Sequence, residues 1–311
     1  MPPPDNRQAL FFAVLTMATW GAAGSFVRLL TAPLASAAPF VSLSILGGRL
    51  ALAFVLLAVL LLVVWRNDWR ETVAPALKRP PTWAGAALQF VYYALAVAAF
   101  TWSPISEIAL CASTAPLWVL LIRKLRGQIV TATETAGAFV ALSGVAVIVL
   151  PRLLEPPETA AADPFPHRLW GDALSLLSAL TTAIYALFQR REANRGAPLE
   201  PRALSLAAFA FGVPLLVFLR PVTPQMLLAP ATVGLFLGLA AFTTVLPTLA
   251  FAWASRRLPP VMTATIALLL PVFATSYAAV VLRETPSWTL LPGGFLVICG
   301  LLLILRPAKT R

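Results

Sequence analysis

The chain has 311 residues, of which 59% are hydrophobic and 11% charged, and its mean hydropathy is +0.85. A soluble domain carries about 25% charged residues, so this composition excludes most cytosolic enzymes and nucleic-acid-binding proteins. The net charge of +11 must then be explained by the position of basic residues relative to the apolar segments. We expect the lipid bilayer, and not a nucleic acid, to be the surrounding partner.

Ten apolar runs, each long enough to cross a bilayer, follow one another between clusters of Arg, Lys, Pro and Asp. We predict an all-α membrane protein of ten transmembrane helices. No charge separates spans 3 and 4, and we place the break at Ser103 and Pro104, because serine caps helices and proline favours the first helical position. The ten spans are 8–30, 39–64, 82–102, 104–122, 128–150, 169–189, 203–219, 231–255, 260–282 and 286–305.

The distribution of Lys and Arg between the predicted loops sets the orientation. With a cytoplasmic N-terminus, the cytoplasmic segments hold 17 of these residues and the outer segments hold five, as the positive-inside rule requires. We therefore predict a multi-pass protein of a bacterial-type inner membrane with both termini in the cytoplasm. Span 1 is longer than the core of a signal peptide and contains Arg28, so we expect it to remain as a membrane span.

Single residues recur in the same order in the two halves of the chain, 155 to 162 positions apart. Because each half has five spans, the second half must begin on the opposite side of the membrane. Such inverted repeats are typical of transporters whose substrate site lies between them. We predict a first repeat over 1–150, an outside linker over 151–168 and a second repeat over 169–311. The recurring pairs include Thr19 and Thr181, Pro104 and Pro259, Pro116 and Pro271, Gly137 and Gly293, and Gly144 and Gly300.

Short motifs along nearly the whole chain carry a family resemblance. They are Thr19-Trp20-Gly21, Gly48-Arg49-Leu50, Pro116, Gly137, Gly144, Gly171-Asp172, Pro271, Arg283-Glu284 and Gly300. In order and spacing they resemble the ten-helix EamA-type transporters of the drug/metabolite transporter superfamily, most closely the aromatic amino-acid exporters. One departure is Gly127-Gln128 after span 4, where the family often has Gly-Glu. The resemblance implies export by alternating access through a central cavity lined by spans 1, 3, 4, 6, 8 and 9.

Aromatic and polar residues on those spans form the candidate substrate site. Several lie three or four positions apart and so share a helix face. Trp20, Tyr93 and Tyr185 would hold an apolar side chain by stacking, while Gln89 and the threonines bind the polar end. Hydrogen bonding between helices explains the same polar atoms equally well. The candidates are Thr16, Met17, Trp20, Gln89, Tyr93, Glu107, Thr181, Tyr185, Thr244 and Thr248.

Four charged residues within or beside the spans need partners. For Arg49 in span 2 we favour a structural clamp, with capture of a substrate carboxylate as the alternative. Glu107 and Asp172 lie at outer helix starts, where carboxylates cap helices and suit the helix dipole. Glu107 is also the better functional candidate, because it could attract an ammonium group or accept a proton. We expect Glu134 to lie at the membrane interface.

Pro116 and Pro271 lie inside spans 4 and 9 at matching positions of the two halves. Each removes a backbone hydrogen bond and can kink its helix. We hypothesise paired bends that help the repeats rock, with static curvature as the alternative.

The sequence gives no sign of enzymatic chemistry. It lacks a P-loop, H-E-x-x-H and G-x-S-x-G, and Cys111, Cys299 and the single His167 form no metal-ligand pattern, so we expect no catalytic residues, metal or cofactor. We expect a small-molecule substrate, namely amino acids with large apolar side chains that the protein exports. A drug or metabolite efflux carrier of the same fold, or a passive pore, is the alternative. The substrate's identity, the energy coupling and the oligomeric state stay open.

Overall fold

A computed structural model describes residues 6–153, 167–258 and 260–305. The part of the chain that it describes is helical and contains no strand, which confirms the predicted all-α fold. Within these residues, eight helices are long and apolar enough to cross a membrane, and Ala132–Ile148 and Leu290–Leu305 are shorter apolar helices. Most of the predicted linker over 151–168 lies outside the described residues. We number the helical spans α1 Arg7–Thr31, α2 Val41–Val64, α3 Pro80–Trp102, α4 Ile105–Leu125, α5 Ala132–Leu153, α6 Arg168–Asn194, α7 Pro201–Leu219, α8 Pro230–Ser255, α9 Pro260–Ala267 with Leu270–Leu282, and α10 Leu290–Leu305.

The largest buried cluster lies between α1, α2, α3, α7 and α8, around Leu50, Val97 and Phe209. A second cluster joins the start of α1 to α8 and α9, and a third joins α4, α5, α9 and α10. Many outward-facing side chains are apolar, including Val63 and Val280, which are 72% and 80% exposed. An apolar perimeter of this kind suits lipid as the surrounding solvent.

The predicted break between α3 and α4 is present, but its capping differs from the prediction. Ser103 ends α3 in an extended conformation, and Pro104 is the N-cap of α4. The hydroxyl of Ser103 donates to Asp172 Oδ1 at 2.7 Å, so Ser103 does not cap α4. The expectation of a serine cap was wrong because a carboxylate from α6 takes the hydroxyl.

The helices α5 and α10 pack backbone against backbone in opposite directions. A Cβ atom added to Gly137 would lie 2.6 Å from the carbonyl oxygen of Gly300, and one added to Gly144 would lie 2.5 Å from that of Gly293. If each glycine is replaced by its counterpart 156 positions away in the other half, the contact of Gly137 with Gly300 becomes the contact of Gly293 with Gly144. This exchange is what an inverted repeat with a two-fold axis between α5 and α10 would produce.

The helices α4 and α9 are each interrupted at matching positions. In α4 the break falls at Ser113 and Thr114, two residues before Pro116, and in α9 it falls two residues before Pro271. The same backbone hydrogen bonds, each to the residue three positions back, form at both breaks. In α4, Ser113 N donates to Leu110 O and Thr114 N donates to Cys111 O, both at 3.1 Å. In α9, Leu268 N donates to Thr265 O at 3.1 Å and Leu269 N donates to Ile266 O at 2.9 Å. Each proline lacks the N–H that would continue the helix, which accounts for the two interruptions.

Candidate functional site

Arg49 joins three helices near the middle of α2. Its side chain is only 3% exposed. Nε donates to Thr244 Oγ1 at 2.8 Å, and Nη2 donates to the carbonyl of Thr243 at 3.4 Å. The guanidinium carbon lies 4.8 Å from the centre of the Tyr93 ring, which is a cation–π distance. These contacts connect α2 to α3 and α8, and among the described residues all three partners of Arg49 are neutral.

The α8 contacts of Arg49 arise from an irregular turn. Gly238–Val245 adopts a π-helix, and the hydroxyl of Thr244 donates to the carbonyl of Leu239, five residues earlier, at 2.7 Å. Pro247 follows at the start of the next regular helical segment. Wide turns of this type are frequent at functional sites, and this one presents two oxygens to Arg49.

The helices α3 and α6 run antiparallel. Their register fixes the relative height along the bundle of four candidate site residues, two on each helix. A Cβ on Gly171 would lie 2.6 Å from Ser103, and one on Gly85 would lie 3.5 Å from Phe188. This register places Gln89 level with Tyr185, and Tyr93 level with Thr181. The two pairs therefore lie on successive turns of the same helix pair.

The side chains at these levels differ in how well their polar atoms are satisfied. Gln89 Oε1 is buried and has no hydrogen-bond partner among the described residues. The hydroxyl of Tyr185 accepts a hydrogen bond from Gln189 Nε2 at 2.7 Å. Tyr93 is 4% exposed, and its ring lies 6.1 Å from that of Phe209. Gln89 is thus the unsatisfied acceptor at this level.

Met17 and Trp20 lie in a different part of the bundle. Both belong to the cluster between α1, α8 and α9, and the Trp20 ring lies 5.3 Å from that of Phe251. Within the described residues no ring contact joins Trp20 to Tyr93 or Tyr185. The structure therefore separates the predicted aromatic residues into two groups, because this face of α1 packs on α8 and α9.

The candidate threonines use their hydroxyl protons within their own helices. Thr16 donates to Phe12 O at 2.8 Å, Thr181 to Leu177 O at 2.9 Å and Thr248 to Thr244 O at 2.6 Å. Back-bonding of this type is common for threonine inside helices. Their oxygens remain as acceptors, so these residues suit donor groups of a ligand better than acceptor groups.

Glu107 lies away from the level of Gln89 and Tyr185, at the end of the bundle where α4 and α6 begin. It is fully buried and forms a two-point ion pair with Arg168, in which Nε donates to Oε2 at 2.9 Å and Nη2 contacts Oε1. Ser287 Oγ lies 3.4 Å from the same carboxylate. Glu107 lies in the first turn of α4, as expected, and its carboxylate binds Arg168, while the N-cap residue Pro104 has no N–H to donate to it.

Further polar contacts join the two halves beside this pair. Arg28 Nη2 donates to Ser103 O at 2.8 Å, and its Nε lies 3.6 Å from Glu284 Oε1. The other oxygen of Glu284 accepts from the backbone N–H of Ile105 at 3.2 Å. Asp172 lies inside α6, whose N-cap is His167, and so does not cap it. We call this set the cross-half network; its members are Arg28, Ser103, Glu107, Arg168, Asp172 and Glu284.

Glu284, a member of the cross-half network, lies in the loop after α9, and burial shifts the pKa of its carboxyl group. Loss of solvent raises the pKa of Glu284, and the nearby Glu107 carboxylate adds to the rise. The Ile105 N–H, Arg28 and Arg168 oppose it without cancelling it. Glu284 therefore gains a proton more readily than an exposed carboxyl.

A cavity of about 220 Å³ lies between α4 and α6 at the other end of these helices. None of the predicted site residues lines it. Nearby, Arg123 donates to Glu134 at 2.7 Å, and Glu134 and Thr131 exchange hydrogen bonds as a helix capping box. The cavity is lined by Ile122, Arg126, Ile184, Leu187, Phe188 and Arg191.

Sequence reasoning missed Arg28, Arg168 and Thr243 as partners of site residues. Each partner is distant along the chain from the residue that it contacts, so no local spacing marks it. The sequence does place Arg168 at an outer helix start, where acidic residues were also expected, and this position was the available signal for its pairing. Among the described residues no group of three His, Cys, Asp or Glu could hold a metal ion.

Comparison with known proteins defines the class. Residues 169–306 match the EamA-like transporter family, so the second half contains an EamA-like domain. The chain is 29% identical to an uncharacterized protein of Pseudomonas aeruginosa, over 99% of this chain and 98% of that protein. It is 25% identical to an uncharacterized transporter of Archaeoglobus fulgidus, over 96% and 97%. Neither relative's name specifies a substrate.

A solved crystal structure shares the fold. It covers 97% of both chains at 18% identity with a TM-score of 0.56. The family match, the relative named as a transporter and the apolar helices point to a multi-pass helical membrane protein that transports small solutes rather than to an enzyme.

Proposed function

We propose that this protein is an EamA-type carrier that exports amino acids with aromatic or other large apolar side chains. In the proposal, two inverted five-helix repeats, 1–150 and 169–311, enclose the pathway in a bacterial inner membrane, and both termini lie in the cytoplasm. The observation that carries it is the matching interruption of α4 and α9 before Pro116 and Pro271. Equivalent hydrogen bonds break equivalent helices in the two halves, which supports a pair of symmetry-related moving parts.

The two ends of the bundle differ, as alternating access requires. At the end predicted to face outward, the cross-half network ties α1 and α4 to α6 and to the loop after α9. At the other end a cavity lies between α4 and α6. We assign this arrangement to a state closed towards the outside. Glu107 and Arg168 must separate for the outer side to open.

Labelling of Cys111 tests this closure. Cys111 lies one turn after Glu107 on α4 and is 1% exposed. In a Cys299→Ser background, the substitution Glu107→Gln should raise the rate at which a membrane-impermeant maleimide modifies Cys111. Glu71→Gln, an exposed carboxylate outside the network, is the matched control. An unchanged labelling rate in Glu107→Gln would remove the gating role.

The aromatic groups support the choice of substrate. Tyr93 and Tyr185 lie beside Gln89, and Trp20 packs on Phe251. Rings stack on apolar substrate groups, and the threonine oxygens accept from an ammonium group. Stacking of one substrate on both groups requires the two groups to approach each other during the cycle.

Counterflow in liposomes tests the function. Purified protein should exchange labelled phenylalanine faster when unlabelled phenylalanine fills the vesicles, with or without a pH gradient. Trp20→Ala and Tyr93→Ala should each slow exchange, and Trp83→Ala, an exposed ring at the start of α3, should not. Flux without acceleration by internal substrate would favour a pore, and exchange of drugs alone would favour efflux of other metabolites. Wild-type rates in both site variants would defeat the site assignment.

A further inference from the structure

Arg49 carries a buried charge that the described structure does not neutralise. Its partners are one hydroxyl, one carbonyl and one aromatic ring. Among the described residues no carboxylate forms an ion pair with it. Buried charged groups are normally paired, because an isolated charge in an apolar interior is costly. The site is thus one negative charge short.

The guanidinium also has donors to spare. Arginine has five N–H groups in a fixed planar fork, and the two hydrogen bonds to α8 use Nε and Nη2. No hydrogen bond within the described residues uses Nη1. A carboxylate binds such a fork through two parallel hydrogen bonds, and it would supply the missing charge at the same time.

An unmet acceptor lies one helical turn from Tyr93, the ring against which Arg49 packs. Gln89 precedes Tyr93 by four residues on the same face of α3, which is about 6 Å along the axis. Its Oε1 is buried without a partner, and buried acceptors left in that condition destabilise a protein. The same small region therefore needs both an anion for Arg49 and a donor for Gln89.

We infer that Arg49 and Gln89 form the polar end of a zwitterion site, in which Arg49 binds the substrate carboxylate and Gln89 Oε1 accepts from its ammonium group. An α-amino acid carries both groups on one carbon and so meets both needs at once. The inference rests on the proposed function and names the residues that recognise the carboxylate and ammonium groups of its substrate. A purely structural Arg49, which holds α2, α3 and α8 together, predicts no preference for carboxylates.

The test compares three probes on the wild-type protein: phenylalanine, 3-phenylpropionate without the amine, and phenylethylamine without the carboxylate. Thermal melting in detergent reports binding, and counterflow in liposomes reports transport. Phenylalanine should raise the melting temperature most, 3-phenylpropionate less, and phenylethylamine least. Because this comparison needs no variant, it stands even if an Arg49 variant does not fold.

Variants then assign the effect to residues. Arg49→Gln should abolish the response to 3-phenylpropionate and weaken phenylalanine binding about tenfold or more, since hydrogen bonds to charged groups are the stronger ones. Arg49→Lys keeps the charge but loses the fork, and it should retain part of the response. Arg195→Gln is the control, because this arginine is 55% exposed and, among the described residues, forms its ion pair with Glu192 at the end of α6. Gln89→Leu should weaken phenylalanine binding and spare 3-phenylpropionate.

Each outcome decides a different question. If phenylethylamine is exchanged as readily as phenylalanine, the carboxylate site is wrong, while the proposed carrier stands. If 3-phenylpropionate stabilises the wild type and not Arg49→Gln, yet no probe is exchanged, the site stands and the proposed transport fails. A melting temperature that none of the probes changes would overturn the site.

Discussion

Glu107 and Arg168 form a two-point ion pair between the starts of α4 and α6, although 61 residues separate them along the chain. The carboxylate is fully buried, while the arginine side chain keeps 18% of its surface exposed. The pair therefore joins the two halves at one end of the bundle with a contact that water screens only in part.

A double-mutant cycle should measure this coupling. Glu107→Gln and Arg168→Gln should each lower the free energy of unfolding by about 1–3 kcal/mol, less than for a wholly buried pair because Arg168 is partly solvated. The double variant should lose less than the sum of the two. The same cycle on Glu192 and Arg195, an i,i+3 pair on α6 with a 55% exposed arginine, should give a smaller coupling. Additive losses for Glu107 and Arg168 would contradict the pair.

The stability of the protein should depend on pH through Glu284. Its folded pKa is raised above the ordinary value by burial and by Glu107, against Arg28 and Arg168. A carboxyl with a raised folded pKa adds stability below its unfolded pKa, and this contribution is lost as pH rises through the folded pKa. Wild type should therefore gain melting temperature relative to Glu284→Gln as pH falls from 7 towards the ordinary carboxyl pKa of 4.5. Glu71→Gln is the control, and a difference that is constant with pH would contradict the expectation.

The contact between α5 and α10 should not tolerate a methyl group. In Gly144→Ala the new Cβ would lie 2.5 Å from a carbonyl oxygen and 2.6 Å from the backbone nitrogen of Val297. Backbone atoms cannot move aside cheaply, so we expect a loss of about 1–3 kcal/mol in unfolding free energy. Gly234→Ala on α8 is the matched control, because nothing lies within 4 Å of its Cβ position. Equal melting temperatures for the two variants would show that the contact is looser than described.

The bends in α4 and α9 should matter for transport. Pro116→Ala and Pro271→Ala restore an N–H that can hydrogen bond four residues back and straighten each helix. We expect slower counterflow in each variant and a similar loss in both, because the positions are equivalent. Pro230→Ala at the start of α8 is the control, since proline removes little from a first helical turn. Transport at the wild-type rate in both bend variants would reduce the prolines to static curvature.

Local patterns in the sequence predict most of the architecture but few of the contacts. The apolar runs and the position of Pro116 and Pro271 depend on neighbouring residues, so the spans and bends can be located from one sequence. The ion pair of Glu107 depends on which helix ends meet in space, which one sequence does not specify. For the same reason, Ser103 was expected to cap α4, whereas its hydroxyl donates to Asp172 on α6.

The candidate site shows the same division. Arg49 was expected to need partners, and in the structure it contacts Thr243, Thr244 and Tyr93. Its partners could not be foreseen, because the π-helical turn at Gly238–Val245 has no clear signal in an apolar run. The capping box of Thr131 and Glu134, by contrast, follows from a T-x-x-E spacing that stands in the sequence.

The glycine contact between α5 and α10 limits how the halves can move. Ile148 packs against Gly293 and Ile304 packs against Gly137, so side chains flank each close approach of the two backbones. Turning or sliding one helix on the other would drive these side chains into the facing backbone. The seam is thus suited to hold α5 and α10 together as one unit, and any rearrangement of the halves would then have to carry both helices along.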